Sequence, residues 1–331
     1  MIRSRLLCLT ALLLAGCKGH VTINYLKPAR VTIVPSVRIL APIDRAGQHL
    51  SGEAMSELIT QLGYSGRFQI IEPVAAAASF AKHPAIVGMP LTQEVARGVC
   101  ADTGADGIVA LESIQPEPSW SDATKYVDHI RTEEYTEGGE TKVREIREEY
   151  ELAVATLSLR YSSFWSTYDC NAKVLDAYEV VVQHEAVGEG ETPALARAAI
   201  ADQNALHFAA AHDIAQRYAR RISPTGTSVD RVFYRGGSPG LRSGTKAAAA
   251  GDWDKARERW QAAVDDSEGK AKGKALFDLA VAHEEQGLLD EALELAQRAD
   301  HLLDSSTSAR YVKQLNKRLE LEKKLGRQLG E

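Results

Sequence analysis

No apolar run in this 331-residue chain approaches the ~20 residues that a membrane-spanning helix needs, which excludes a polytopic membrane protein. Cysteine is sparse, and four residues in this length do not make a disulfide scaffold. There is no Gly-X-Y period, and apolar residues make up 44% of the chain, so collagen-like and wholly disordered chains are excluded. Basic charge is not in surplus: 39 Lys and Arg face 45 Asp and Glu, a net charge of −6. Nucleic-acid binders carry a basic footprint, so nucleic acid is not an expected partner.

Catalytic motifs are missing too. The sequence has no His-Glu-x-x-His, no Walker loop and no Gly-x-Gly-x-x-Gly after a strand. His207 and His212 stand five residues apart on an expected helix, which turns their imidazoles to different faces and suits no single metal. Gly236-Gly237-Ser238-Pro239-Gly240 lacks the strand-to-helix context and the lysine of a phosphate loop and reads as linker. The expectation is a protein that is not an enzyme and has neither cofactor nor metal.

What is present begins at the N-terminus. Arg3 and Arg5 precede an apolar core from Leu6 to Leu14, followed by Leu14-Ala15-Gly16-Cys17, the charged start, core and small-residue site of a secretory signal. The last four residues resemble the lipobox of bacterial lipoproteins. That resemblance implies a diacylglyceryl thioether on Cys17, cleavage between Gly16 and Cys17, and N-acylation (palmitate) of the new terminus. More than one acyl chain makes membrane attachment durable. Lys18 in place of Asp after the cysteine implies sorting to the outer membrane, facing the periplasm. Residues 1–16 are then the signal peptide and 17–29 a lipidated tether. Of the remaining cysteines, Cys100 and Cys170 either form one disulfide in an oxidising envelope space or stay as separately buried thiols; sequence alone does not show them meeting, and separate burial stands first.

Residues 30–225 read as an α+β domain. Val31 to Ile43 is rich in β-branched residues, as in a strand pair or one interrupted strand. Ser51 to Leu62 has helical apolar spacing, Phe68 to Ile71 resumes as strand, Thr92 can cap a helix to about Thr103, and Ile108 to Leu111 is strand again: β-α-β-α-β. An antiparallel meander follows. Tyr126 to Tyr135 and Lys142 onward flank Gly138-Gly139 as a hairpin, its acid-crowded tip reading as a solvated ribbon that resists edge aggregation rather than a cation site. Ala153 to Tyr161, Tyr168 to Leu175 and Tyr178 to Glu185 are further strands, and one long helix runs from about Ala194 to Arg221 with Pro224 beyond it.

Gly66-Arg67-Phe68-Gln69-Ile70-Ile71-Glu72 and Gly104-Ala105-Asp106-Gly107-Ile108-Val109 resemble strands of envelope lipoproteins with a CsgG-like or LpoB-like core. The hairpin lacks the apolar-out alternation of a membrane barrel, so channel activity is not carried over. Lys27-Pro28-Ala29, Tyr168-Asp169, Val174-Leu-Asp176, Gly188-Glu-Gly190 and Arg231-Val-Phe233-Tyr234 resemble a family of bacterial lipoproteins with a helical-repeat tail and no established activity to transfer. Asp169-Cys170 departs from that family's usual Asp-Pro or Asp-Gly step.

Residues 226–242 are rich in Gly, Pro and Ser and read as a linker. Within 243–331, Gly251, Trp253, Ala256, Trp260 and Ala263 recur 36 residues later as Gly287, Leu289, Ala292, Ala296 and Ala299. The pattern resembles the tetratricopeptide repeat, with Gly244 and Ala280 at the small-residue positions, and the helix from about Ala309 to Leu325 caps the stack. Such a repeat implies a concave partner groove lined by Lys274, Phe277, Val281 and Glu284. The function expected is a lipid-anchored envelope protein, bound to the membrane through Cys17, that scaffolds protein partners. An export-assembly subunit, or an enzyme with an unrecognised site, is the alternative.

Overall fold

The computed structural model describes residues 18–330 apart from 49, 84, 87, 201 and 237. It divides into two compact units. The first is built from Ala29–Ser223, and the second from both ends of the chain, up to Pro28 and from Pro224 onward.

The Ala29–Ser223 unit is mixed α/β. Its five-stranded sheet has the order β3-β2-β4-β5-β6, from β2 (Ile39–Asp44), β3 (Gln69–Ile70), β4 (Gly107–Glu137), β5 (Glu140–Asp169) and β6 (Val174–Gly190). β2 pairs in parallel with β3 and β4, while β4, β5 and β6 are antiparallel. Alternation along the strands feeds two cores. Leu40, Val109, Leu111, Leu159, Tyr161 and Trp165 face α1 (Ser51–Tyr64) and a later helix that supplies Ile214 and Tyr218. Ala41, Ile43, Ile108 and Ala110 face α2 (Pro73–Phe80) and α3 (Gln93–Thr103). Trp165 stacks on Tyr218 with ring centroids 5.1 Å apart.

Several expectations change here, each for a physical reason. Val31 to Arg38 is not strand. The buried Arg67 guanidinium donates to the carbonyls of Val37 (2.9 Å) and Val34 (3.2 Å), so these carbonyls are satisfied without a sheet partner. The Tyr168–Leu175 strand is interrupted by a turn in which the Asp169 carboxylate accepts from the backbone N–H groups of Asn171 and Lys173. The long helix is two: α4 (Pro193–Ala198), capped by Thr192, and α5 (Gln203–Ile222), whose start is set by Asp202 accepting from the Ala205 N–H at 2.9 Å. The expected separate strands around Ile108, Tyr126 and Ala153 are instead continuous pieces of β4 and β5.

The β4–β5 hairpin outruns the sheet. β6 pairs with β5 only as far as Ala153, and from Tyr126 and Glu151 to the tip the two strands pair with each other. This ribbon exposes Tyr126, Ile130, Val143 and Tyr150. Its rungs carry ion pairs, Arg131 to Glu148 at 2.9 Å and Arg144 to Glu133 at 2.7 Å. All are solvent-exposed, so they stiffen it little.

The second unit overturns two expectations. Most of the expected tether and the first half of the expected linker are strands: β1 (Lys18–Lys27) pairs antiparallel with β7 (Thr225–Tyr234). Five helices follow: α6 (Pro239–Ala249), α7 (Trp253–Asp265), α8 (Gly269–Glu285), α9 (Leu289–Leu303) and α10 (Ser306–Leu329). The 36-residue recurrence has a backbone counterpart. Gly251 (φ +77°) and Gly287 (φ +79°) each take the left-handed turn before the second helix of a pair, a conformation glycine adopts without strain. Gly244 is small because a Cβ there would lie 2.5 Å from Trp260 Nε1.

Candidate functional site

Of the residues singled out in the sequence, Gly16 and Cys17 lie outside the described residues. Cys100 and Cys170 do not stay apart. They form a disulfide with Cα atoms 5.9 Å apart, which corrects the preference for separate thiols. The bond ties the end of α3 to the turn after β5, within the core that holds Ala41, Val99 and Ile108. Sequence spacing does not reveal the pair because 70 residues separate its members; the parallel pairing of β2 with β4 and the β5 return bring them together.

The expected partner groove on α8 is not open, and this too is a correction. Phe277, Val281 and Glu284 are buried, with Glu284 at 0% exposure. The chain fills the groove itself. Phe277 packs between Tyr234 of β7 (5.4 Å) and Tyr311 of α10 (4.9 Å), and the Lys274 ammonium lies 5.5 Å from the Tyr234 ring centroid. The Glu284 carboxylate accepts two bonds from Arg231 of β7 (2.7 and 2.8 Å), one from Arg318 of α10 (2.8 Å) and one from the Tyr311 hydroxyl (3.0 Å). Two arginines and a phenol satisfy a charge that would otherwise be costly to bury. Burial beside that carboxylate pushes the Tyr311 phenol well up, so it stays a donor. Sequence reasoning missed Arg231, Tyr311 and Arg318 as partners because they come from opposite ends of the unit.

Six residues earlier on the same helix, Asp278 is wholly buried and accepts from the Tyr234 backbone N–H at 2.7 Å. Its other oxygen has no hydrogen-bond partner, and desolvation raises this carboxyl far above its ordinary range.

The histidines read from sequence also part company. The His207 ring hydrogen-bonds the Tyr161 hydroxyl at the wall of a cavity of about 270 Å³ lined by Leu50, Ile114, Pro116 and Phe208. Burial pushes the Tyr161 phenol up to about 12. His212 is exposed, while Asp213 holds Arg217 through two bonds of 2.9 Å. Among the described residues no group of three His, Cys, Asp or Glu is placed to hold a metal ion, and no helix is long and apolar enough to cross a membrane.

Residues 242–317 match the family described as Domain of unknown function (DUF6340). A search of curated proteins found no match. Among solved structures, a PelC dodecamer from Paraburkholderia phytofirmans aligns over 60% of this chain and 96% of that one at 7% identity, with a TM-score of 0.22, a likeness too slight to carry an argument. Residues 44–234, more than half the chain, match the family described as Domain of unknown function (DUF8603), and the chain belongs to that family.

Proposed function

We propose that the protein is a lipid-anchored lipoprotein of the cell envelope, held at the outer membrane through Cys17, that acts without catalysis as a binding and assembly component for other envelope proteins. The observation that carries the binding half is the β4–β5 ribbon. From Tyr126 to Glu151 it buries almost nothing and exposes Tyr126 and Val143 at 62% each, so the fold gains nothing from its length. Aromatic and β-branched side chains on a paired strand edge suit a protein partner.

Two further facts support the envelope half. A Cys100–Cys170 disulfide fits an oxidising compartment. Lys18, the residue after the lipobox cysteine, is already the first residue of β1, so a lipid on Cys17 would hold the second unit within one residue, ~3.5 Å of chain, of its anchor. Tetratricopeptide-like packing of α6–α9 fits this reading with its groove taken by β7 and α10, which moves partner contact away from the groove.

Hairpin length also favours a second reading, a subunit of an export assembly. Each ribbon face mixes charged with apolar residues, however, and a lipid-facing strand must be apolar on one side. Light scattering in detergent separates the two: a ring oligomer supports export, a monomer supports the scaffold. The scaffold reading is tested by crosslinking and affinity capture from solubilised membranes, comparing the full chain with one whose residues 127–150 are replaced by a two-residue turn. The parent should recover a reproducible set of envelope proteins and the shortened chain should lose it. Identical recovery from both would overturn the ribbon as the contact element.

A further inference from the structure

The last helix of the second unit is basic, in a chain of net charge −6. α10 carries seven Lys and Arg against two Glu. Tyr311, Leu315 and Leu325 are buried on one side of it, where Arg318 turns inward to Glu284. Arg310, Lys313, Lys317, Lys323 and Arg327 are exposed. At about 100° per residue these five fall within an arc of about 140° on the other side, with Glu320 the one acid between them. None of the five makes an ion pair or a side-chain hydrogen bond among the described residues.

Ordinary helix electrostatics explain part of this face. Cations near a helix C-terminus offset its dipole, which accounts for Lys323 and Arg327. Arg310, Lys313 and Lys317 stand in the first half of the helix, where that effect gives them nothing. Acids three or four residues away would stabilise the helix by pairing, but Arg310 and Lys313 have none at those spacings. They neighbour each other instead, and Lys313 neighbours Lys317. Like charges so spaced destabilise a helix.

The unexplained part of the face lies where β1 begins. Lys18 opens β1 in register with Tyr234. The Tyr234 ring lies 5.4 Å from Phe277, and Phe277 lies 4.9 Å from Tyr311, the residue next to Arg310. Further along, the Arg318 guanidinium lies 4.4 Å from the Tyr25 ring centroid, so α10 follows β1 from its first residues onward.

We propose that the outer face of α10 is a docking surface for a bilayer bearing anionic headgroups, with Arg310, Lys313 and Lys317 as its principal contacts. The inference rests on the lipid-anchored reading: an acyl group on Cys17 would place the start of β1, and the turns of α10 beside it, at the headgroups. Each Lys or Arg beside an anionic surface adds a modest attraction that salt screens. The face therefore orients a chain that the lipid retains, and does not retain it alone.

The test is cosedimentation with vesicles of the chain that begins at residue 17 and carries Cys17→Ala. This chain keeps every element from β1 to α10 and has no acyl group. At low ionic strength it should bind vesicles of equal parts phosphatidylcholine and phosphatidylglycerol but not vesicles of phosphatidylcholine alone, and raised salt should release it. Lys313→Gln/Lys317→Gln should weaken partitioning about fivefold for each charge removed. Lys313→Arg/Lys317→Arg should bind as the parent does, which separates lost charge from lost folding. Lys255→Gln/Arg259→Gln removes two exposed charges from α7 and should weaken binding far less. Equal weakening by that control, equal binding to both vesicle types, or binding to neither would overturn the surface. Binding to polyglutamate without binding to vesicles would also overturn it, and would assign the face to an acidic protein segment. Because the vesicle assay needs no lipid on Cys17, failure of this surface and failure of the anchor are read separately.

Discussion

At the scale of single residues, the second unit is organised around one carboxylate. Glu284 is bonded by Arg231, Arg318 and Tyr311 and has no exposed surface. Replacing a buried ion pair wholesale by apolar residues is often harmless, whereas removing one partner strands the others. Glu284→Ala is therefore expected to cost about 3–5 kcal/mol, measured by urea unfolding of the C-terminal transition. Asp278 differs in sign. Its folded-state pKa is raised by burial, so the folded protein holds the proton more tightly than the unfolded chain does. Stability is then full below the ordinary aspartate pKa and falls as pH rises through the folded one. Asp278→Asn cannot titrate and keeps an oxygen for the Tyr234 N–H. It should be more stable than the parent by a margin that grows as pH rises above the ordinary aspartate range. A margin independent of pH would contradict the assignment.

At the scale of elements, what the sequence made legible was what depends on near neighbours. Thr92 caps α3 as expected, accepting from the Val95 N–H at 3.4 Å, and the Gly138-Gly139 turn sits where the dipeptide places it. Elements set by distant partners were not legible. Lys18–Lys27 reads as tether because it follows the lipobox, and the segment from residue 226 reads as linker from the Gly, Pro and Ser around it; their mutual pairing makes Lys18–Lys27 and Thr225–Tyr234 strands. The Val31–Arg38 segment reads as strand by composition, but Arg67, over thirty residues away, takes its carbonyls. The disulfide belongs to the same class of non-local feature. It closes a loop of about 70 residues, and the chain-entropy argument gives about 4 kcal/mol at most, with 2–4 typical. Cys100→Ser/Cys170→Ser should lower the unfolding free energy of the α/β unit by that amount, and dithiothreitol should lower the parent's and not the variant's.

At the scale of the whole molecule, the chain leaves the second unit at Pro28 and returns to it at Pro224, so the α/β unit is an insertion between two paired strands. The Lys27–Thr225 rung closes that insertion. One consequence is that the N-terminal strand cannot be treated as a spacer. A deletion of residues 19–26 should unfold the C-terminal helices by uncovering Ile23, which lies in their core, and should lower helical circular dichroism well beyond the eight residues removed. A flexible tether would leave it unchanged.

The proposed lipid on Cys17 would hold this nested molecule at the membrane as an assembly component. Membrane fractionation of the Cys17→Ala chain beside the parent tests it most directly, with intact mass reporting the N-terminus of each. The parent should sediment with the outer membrane carrying the mass of an acylated chain beginning at Cys17, and Cys17→Ala should lose both that mass and the outer-membrane association. Identical partitioning of the two chains, with no acyl mass on the parent, would contradict it.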